Sequence, residues 1–167
     1  MNRRQLCVVG AVACAAMMGF ALFAQHVLEL EPCPLCVIQR IAVISLGVIF
    51  LLAAAHDAGP AGSRLWGVLI ASLATAGAVV SGRHVWLQNL PPDQVPECGP
   101  GLDYIMDVFP LMEAMSMVFA GSGECAEVVW RFLGLSMPTW VLICMVSMGV
   151  FGIVVNWRAA RGSPVED

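Results

Sequence analysis

The chain has seven cysteines, the residues most able to do disulfide or redox chemistry, and they fall into two groups. Three lie within long apolar runs and are interpreted as small packing residues: Cys7, Cys14 and Cys144. Four lie beside polar or turn-forming residues: Cys33, Cys36, Cys98 and Cys125. The second group contains the candidates for disulfide or redox chemistry.

The segment Cys33-Pro34-Leu35-Cys36 is a C-x-x-C pair, which is typical of several kinds of site. A haem attachment site needs His after the second Cys, and Val37 stands there instead. Zinc sites usually add a second C-x-x-C or a pair of closely spaced His residues, and the chain has neither, so we expect no metal. An inert structural disulfide or a redox-active pair remains.

Two features near Cys36 favour the redox interpretation. Cys36 precedes a long apolar run and so lies at the N-terminal end of a predicted helix, where the helix dipole stabilises a thiolate. Arg40 follows one turn later on the same face and adds positive charge. Arg40 is either an interface anchor or a ligand for a polar group, because a guanidinium at a membrane surface needs water or a partner.

The composition shows what kind of protein must position these cysteines. The 167 residues are 59% hydrophobic and 12% charged, with a mean hydropathy of +0.83. Soluble domains are about 45–50% apolar and about 25% charged. The low charge excludes a disordered chain or a coiled coil, and the net charge of −4 argues against a nucleic-acid-binding protein. We expect an all-α integral membrane protein with a single domain over 1–167.

Four apolar runs are long enough to cross the bilayer as helices. They lie near 6–24, 37–55, 65–82 and 133–155. A secretory signal is an alternative for the first run, because Arg3 and Arg4 precede it, but its length favours a membrane span. The spans leave two segments on one side of the membrane, a short loop near 25–36 and a long loop near 83–137. All four candidate redox cysteines fall in these two loops.

The basic residues predict the orientation of the spans. The chain has no Lys, and five Arg residues fall on the side opposite the two loops: Arg3, Arg4, Arg64, Arg158 and Arg161. By the positive-inside rule this side is cytoplasmic, as are both termini. Disulfides persist outside the cytoplasm, where the four cysteines then lie. Most acidic residues share that outer side, where they either steer a basic partner or simply solvate the loops.

Four cysteines allow three pairings. Cys33 and Cys36 are close enough in sequence to pair locally, and that pairing leaves Cys98 with Cys125.

The order and spacing of these residues resemble a known family. The segments that carry the resemblance are 25–40 with its C-x-x-C-x-x-x-R, 83–88, 121–127 with G-S-G-E-C-A-E, and 130–140. They are similar to the disulfide bond formation protein B (DsbB) family of bacterial inner-membrane thiol:quinone oxidoreductases. The likeness covers nearly the whole chain. It departs at Gln39, which is often Glu in relatives, and in the three extra cysteines within the spans.

The resemblance implies a transmembrane bundle of four helices with two periplasmic loops. It also implies a short helix that lies along the membrane within the long loop. The segment 104–119 suits that helix, because it is apolar between a few acids, and Pro110 would break or kink it.

The resemblance also implies a path for electrons. Cys98 and Cys125 would form the disulfide that oxidises a DsbA-like thioredoxin-fold protein of the periplasm, with Cys98 taking the partner in a mixed disulfide. Exchange would then pass the electrons to Cys33 and Cys36, and Cys36 would pass them to membrane quinone, either ubiquinone or menaquinone.

Three further residues are implied at the quinone. Arg40 would hold a quinone oxygen, and His84 and Met137 are additional candidates for the quinone site.

Two other functions stay open at this point. One is a structural membrane protein with two inert disulfides, in which all four outer cysteines would be replaceable with only a loss of stability. The other is an enzyme similar to vitamin K epoxide reductase, but that family carries its redox pair in a late span, whereas Cys33 and Cys36 lie at the second.

Overall fold

The chain is dominated by four long helices, which carry the predicted all-α membrane fold. The structure, a computed structural model, describes residues 2–56, 58–96, 104 and 107–162. Its long helices are α1 (Arg3–His26), α2 (Pro34–Ala55), α3 (Pro60–Leu87) and α6 (Met137–Gly162). Each is long and apolar enough to cross a membrane. The prediction of a four-helix membrane protein is therefore confirmed, and the chain is a multi-pass membrane protein.

The helices begin where the local sequence favours a helix start. Asn2 caps α1 in a capping box with Gln5. Pro34 and Pro60 open α2 and α3 at the first turn, where a missing N–H costs nothing. Cys33 is the residue that caps α2, so the C-x-x-C pair forms the first turn of that helix.

The described residues between α3 and α6 form a short 3-10 helix (Pro92–Gln94) and further short elements. These further elements are α4 (Leu111–Ala120), α5 (Gly123–Ala126), β1 (Arg131–Phe132) and β2 (Leu135–Ser136). The helix predicted over 104–119 is present in its second half, and α4 begins directly after Pro110, as expected for a residue that breaks helices. That α4 lies along the membrane remains a prediction.

The fourth span begins later than the apolar pattern predicts. The prediction placed it from residue 133, but α6 begins at Met137. Leu133 and Gly134 both have positive φ, 50° and 81°, and form the two-residue turn of the hairpin β1–β2. Such turns suit the twist of paired strands. The indole of Trp140 donates a hydrogen bond to the Phe132 carbonyl at 3.1 Å and ties the hairpin to α6.

The long helices bury some large apolar side chains between them and leave many others facing outward. The most extensive contact joins α3 to α6, and α1 packs along α2. Phe50, Leu46, Ile70 and Met145 are buried at the centre of the bundle. Exposed apolar side chains include Val12, Ile41, Leu65, Val79 and Val150. An apolar exterior of this extent suits a lipid surround.

Contacts of Arg3 define one end of the bundle. Its guanidinium donates hydrogen bonds to the His56 carbonyl just past α2 and to Asn156 near the end of α6. The start of α1 and the end of α6 therefore share one end of the bundle. Cys33 precedes α2 at the other end, so the C-x-x-C pair lies opposite the start of α1 and the end of α6.

Candidate active site

The two cysteines of the C-x-x-C pair lie side by side on the first turn of α2. Their Sγ atoms are 3.1 Å apart, both side chains are half-buried, and both thiols are free. A disulfide needs the two sulfurs at about 2.05 Å. Closing or opening this bond therefore needs only a small movement of two side chains within one helical turn.

A third thiol from the long loop reaches the same place. Cys125 lies in α5, is fully buried, and packs with Leu35, Val80 and Leu87. Its Sγ lies within 4.8 Å of the Cys33 Sγ and of a ring nitrogen of His84. A hydrogen bond with Cys33, together with burial and the nearby Cys33 charge, raises the pKa of Cys125.

Gly121 allows the loop to approach α3 closely enough to bury Cys125. Its φ is +82°, in the region that favours glycine, and a Cβ at this position would meet Leu87 Cδ1 at 2.4 Å. The backbone N–H of Cys125 then donates to the Ser122 carbonyl at 2.9 Å. Cys98 lies outside the described residues, so its pairing with Cys125 stays a prediction.

His84 and Gln39 form a buried polar pair next to Cys33. His84 is 2% exposed and Gln39 is 4% exposed. The carboxamide nitrogen of Gln39 lies 3.1 Å from Nδ1 of His84, and Nε2 of the same ring lies 3.8 Å from the Cys33 Sγ. An amide nitrogen only donates, so Nδ1 accepts and the ring proton of the neutral imidazole lies on Nε2, facing Cys33.

Gln39 is the site residue that sequence reasoning missed. It drew notice only as a departure from the related family. The sequence does contain a sign of its role, because a polar side chain inside an apolar run, next to Arg40, needs a buried hydrogen-bond partner.

We expect Gln39→Leu to destabilise the protein by about 1–3 kcal/mol, because it leaves a buried ring nitrogen without a hydrogen bond. Gln39→Glu is the matched variant, since the His84 ring can move its proton to Nδ1 and donate from there to the carboxylate. The measurement is denaturant unfolding in detergent micelles. Equal stability of the Leu and Glu variants would contradict the assigned contact.

Arg40 is held by α1 and faces a cavity. It donates hydrogen bonds to the Gln25 side-chain oxygen and, at 3.2 Å, to the Ala21 carbonyl. A guanidinium has five N–H donors, and among the described residues only two of them have a partner here. These contacts tie α2 to α1, and the role of Arg40 as a donor to a ligand stays a prediction.

The cavity beside these residues has a volume of about 550 Å³. Five residues predicted for the site line it: Cys33, Cys36, Arg40, His84 and Met137. Apolar side chains complete the wall, among them Met17, Met18, Val43, Trp130 and Val141. Volumes of 300–1,000 Å³ with mostly apolar walls and a few polar groups are typical of small-molecule sites.

Acidic side chains line the same cavity from both loops. They are Glu29 and Glu31 of the short loop and Glu124 and Glu127 of the long loop. The four charges give this end of the site a negative surface. Their position suits either the steering of a basic partner or simple solvation, and both interpretations stay open.

Comparison with known proteins gives the same family as the cysteine pattern. The family model described as Disulfide bond formation protein DsbB matches residues 3–155. A Disulfide bond formation protein B of Chromobacterium violaceum is 50% identical over 96% of this chain and 97% of the relative. One from Methylococcus capsulatus is 48% identical over 96% and 98%. The family-model match runs over the cysteines of the site and from the start of α1 to residue 155 in α6, and the chain therefore belongs to the DsbB family and acts in disulfide bond formation.

Proposed function

We propose that this protein is a thiol:quinone oxidoreductase that oxidises a DsbA-like dithiol protein and passes the electrons to membrane quinone. The observation that carries this proposal is that three free thiols lie next to one another and that two of them line one cavity. Cys125 contacts Cys33, Cys33 contacts Cys36, and both cysteines of the C-x-x-C pair line the cavity with Arg40 and His84. The thiols and the candidate small-molecule site therefore lie together at the N-terminal end of α2.

The thiol contacts support a defined order of exchange. A reduced partner would give two electrons to the Cys98–Cys125 disulfide, leaving the partner oxidised and Cys98 and Cys125 as thiols. The Cys125 thiolate would then attack Cys33 of the Cys33–Cys36 disulfide, since Cys33 is its neighbour. The S–S bond breaks and Cys36 leaves as a thiolate at the cavity wall. Cys98 would then attack Cys125 and restore the loop disulfide, with Cys33 released.

The cavity fits a quinone by the chemistry of its walls. A quinone has carbonyl oxygens that accept hydrogen bonds and an apolar ring and tail. Arg40 has further N–H donors that lack a partner among the described residues, His84 presents a buried ring, and the methionine, valine and tryptophan side chains supply an apolar surface. When bound, the quinone would supply the capacity to accept two electrons and two protons.

The residues around the thiols would set the charge of the site. Nε2 of His84 lies 3.8 Å from the Cys33 Sγ and, with the ring proton on Nε2, would donate to that sulfur. Arg40 stabilises negative charge in the cavity. Met137 lines the wall at the start of α6 and would limit the width of the site.

The orientation of the protein belongs to the same proposal. We infer that it lies in the inner membrane with both termini in the cytoplasm and the two loops in the periplasm. The arginines at the end of the bundle opposite Cys33 support this orientation under the positive-inside rule.

The test is a quinone-reduction assay with the purified protein. Reduced thioredoxin-fold partner is added to protein and ubiquinone or menaquinone in detergent, and quinone absorbance is followed. We expect quinone loss in proportion to partner oxidation. An intact, folded protein that oxidises no partner and reduces neither quinone would refute the proposal and favour a structural protein with inert disulfides.

Arg40→Ala is expected to raise the KM for quinone by about 10- to 100-fold. The reason is the loss of charge-assisted hydrogen bonds, each of which contributes about 1.5–3 kcal/mol. Arg83→Ala is the matched control, because Arg83 binds carbonyls of α4 and stacks on Trp86 at 4.3 Å, away from the cavity wall. An unchanged KM for Arg40→Ala, or equal effects of the two variants, would contradict this role.

A further inference from the structure

Three side chains with metal-binding atoms, Cys33, His84 and Cys125, converge at the start of α2, and Cys36 adjoins Cys33. The Sγ atoms of Cys33 and Cys36 are 3.1 Å apart, and Nε2 of His84 is 3.8 Å from the Cys33 Sγ. Cys125 brings a third sulfur within 4.8 Å of Cys33 and His84. We propose that these three thiols and the imidazole form a binding site for Zn²⁺ or a similar thiophilic divalent cation when the protein is reduced.

The spacing of the donor atoms suits a tetrahedral site. Zinc binds Cys sulfur at about 2.3 Å and His nitrogen at about 2.0–2.1 Å, so donors around it lie roughly 3.6–3.8 Å apart. The Cys33–His84 separation of 3.8 Å already agrees with this value. The Cys36 sulfur lies 3.1 Å from Cys33 but outside the group of donors within 4.8 Å of one another, so its side chain would have to rotate toward His84 and Cys125 to become the fourth ligand.

The ligand set was hidden in the sequence because it comes from three separate elements. Cys33 and Cys36 belong to α2, His84 to α3, and Cys125 to α5. Sequence reasoning disfavoured zinc because no second C-x-x-C or spaced His pair exists. The fold removes that objection, since helix packing brings a histidine and a loop cysteine to the C-x-x-C pair. Three Cys and one His is a common ligand set of structural zinc sites.

Gln39 supplies the outer contact that a metal-bound histidine needs. Histidine ligands of metals usually donate their second N–H to an acceptor, which holds the ring in orientation. If Nε2 binds the metal, the ring proton moves to Nδ1. Rotation of the Gln39 carboxamide then places its oxygen where its nitrogen now lies, 3.1 Å from Nδ1.

The charges of the site also suit a cation. Three thiolates and one neutral imidazole around Zn²⁺ carry a net charge of −1, and Arg40 on the wall of the adjoining cavity supplies a positive charge. Binding releases the thiol protons to solvent and transfers no electrons. The sulfur atoms stay at the thiolate oxidation level throughout.

The site depends on the redox state of the cysteines. A Cys33–Cys36 disulfide removes two ligands, and a disulfide at Cys125 removes a third. A bound metal in turn holds all three sulfurs and prevents thiol exchange. If the proposed thiol:quinone activity is correct, Zn²⁺ therefore inhibits the reduced protein, but binding itself can be measured without any turnover.

The experiment is titration of the full-length protein in detergent with Co²⁺ alone, after reduction with a phosphine and its removal under anaerobic conditions. We expect a sulfur-to-cobalt charge-transfer band and the intense visible bands of tetrahedral cobalt, saturating at one equivalent. Zn²⁺ should displace the cobalt. The oxidised protein should give neither band.

Variants separate the four-ligand site from capture by the C-x-x-C pair alone. Cys125→Ser and His84→Gln should each lower the affinity at least about 10-fold, and Gln39→Leu by about 10- to 100-fold. Cys144→Ser, a cysteine within α6 and away from the cavity wall, should match the wild type. No thiolate band in the reduced wild type would overturn the proposal, as would equal cobalt affinity in the wild type and in both ligand variants.

Discussion

Cys36→Ser is expected to reduce quinone reduction to the background rate, a loss on the order of 10⁴-fold or more, as for removal of other covalent nucleophiles. The proposed exchange delivers the electrons to Cys36, whose sulfur is 3.1 Å from Cys33 and lines the cavity. Serine keeps the size of the side chain but cannot form a disulfide. The measurement is the quinone-reduction assay with reduced partner.

Cys144→Ser is the matched control for this loss. Cys144 is half-buried within α6 and is not among the cavity residues, so its replacement should leave turnover near the wild-type rate. Thermal unfolding of both variants excludes a general loss of folded protein. Retained turnover in a folded Cys36→Ser protein would exclude the proposed exchange path.

Gly152→Val is expected to destabilise the bundle by about 3 kcal/mol. Gly152 lies where α6 meets α3, and a Cβ at this position would stand 2.3 Å from Ile70 Cγ2. Because Ile70 is fully buried, a valine side chain at position 152 can fit only if α3 and α6 move apart. The measurement is the free energy of unfolding in detergent micelles.

A second substitution tests the cause. Ile70→Ala alone should cost about 2–5 kcal/mol through the cavity that it leaves. Combined with Gly152→Val, it should cost less than the sum of the two single changes, because the new side chain enters the vacated space. Gly19→Val in α1, where nothing lies within 4 Å of an added Cβ, should change stability little. Additive costs of the pair would contradict the close contact.

The sequence predicted the features that depend on short stretches of chain. The length of each apolar run is a local property, and it predicted four spans, each of which overlaps one long helix, with ends that differ by up to seven residues. The fourth prediction failed at Leu133–Ser136, because apolar content alone does not distinguish a strand and a tight turn from a helix. Pro110, by contrast, was correctly predicted to interrupt the helix, since proline acts through its own ring.

The candidate site divides in the same way. The sequence by itself determined which residues carry chemistry, because C-x-x-C, Arg40 and the scarcity of charge are visible in the chain. Only the tertiary structure decided that Cys125 contacts Cys33, that His84, 51 positions away from Cys33, faces the same sulfur, and that Gln39 orients its ring. The physical reason is that distances between remote residues depend on how the helices pack. That packing is set by residues such as Gly152 and Ile70, which take no part in the proposed reaction.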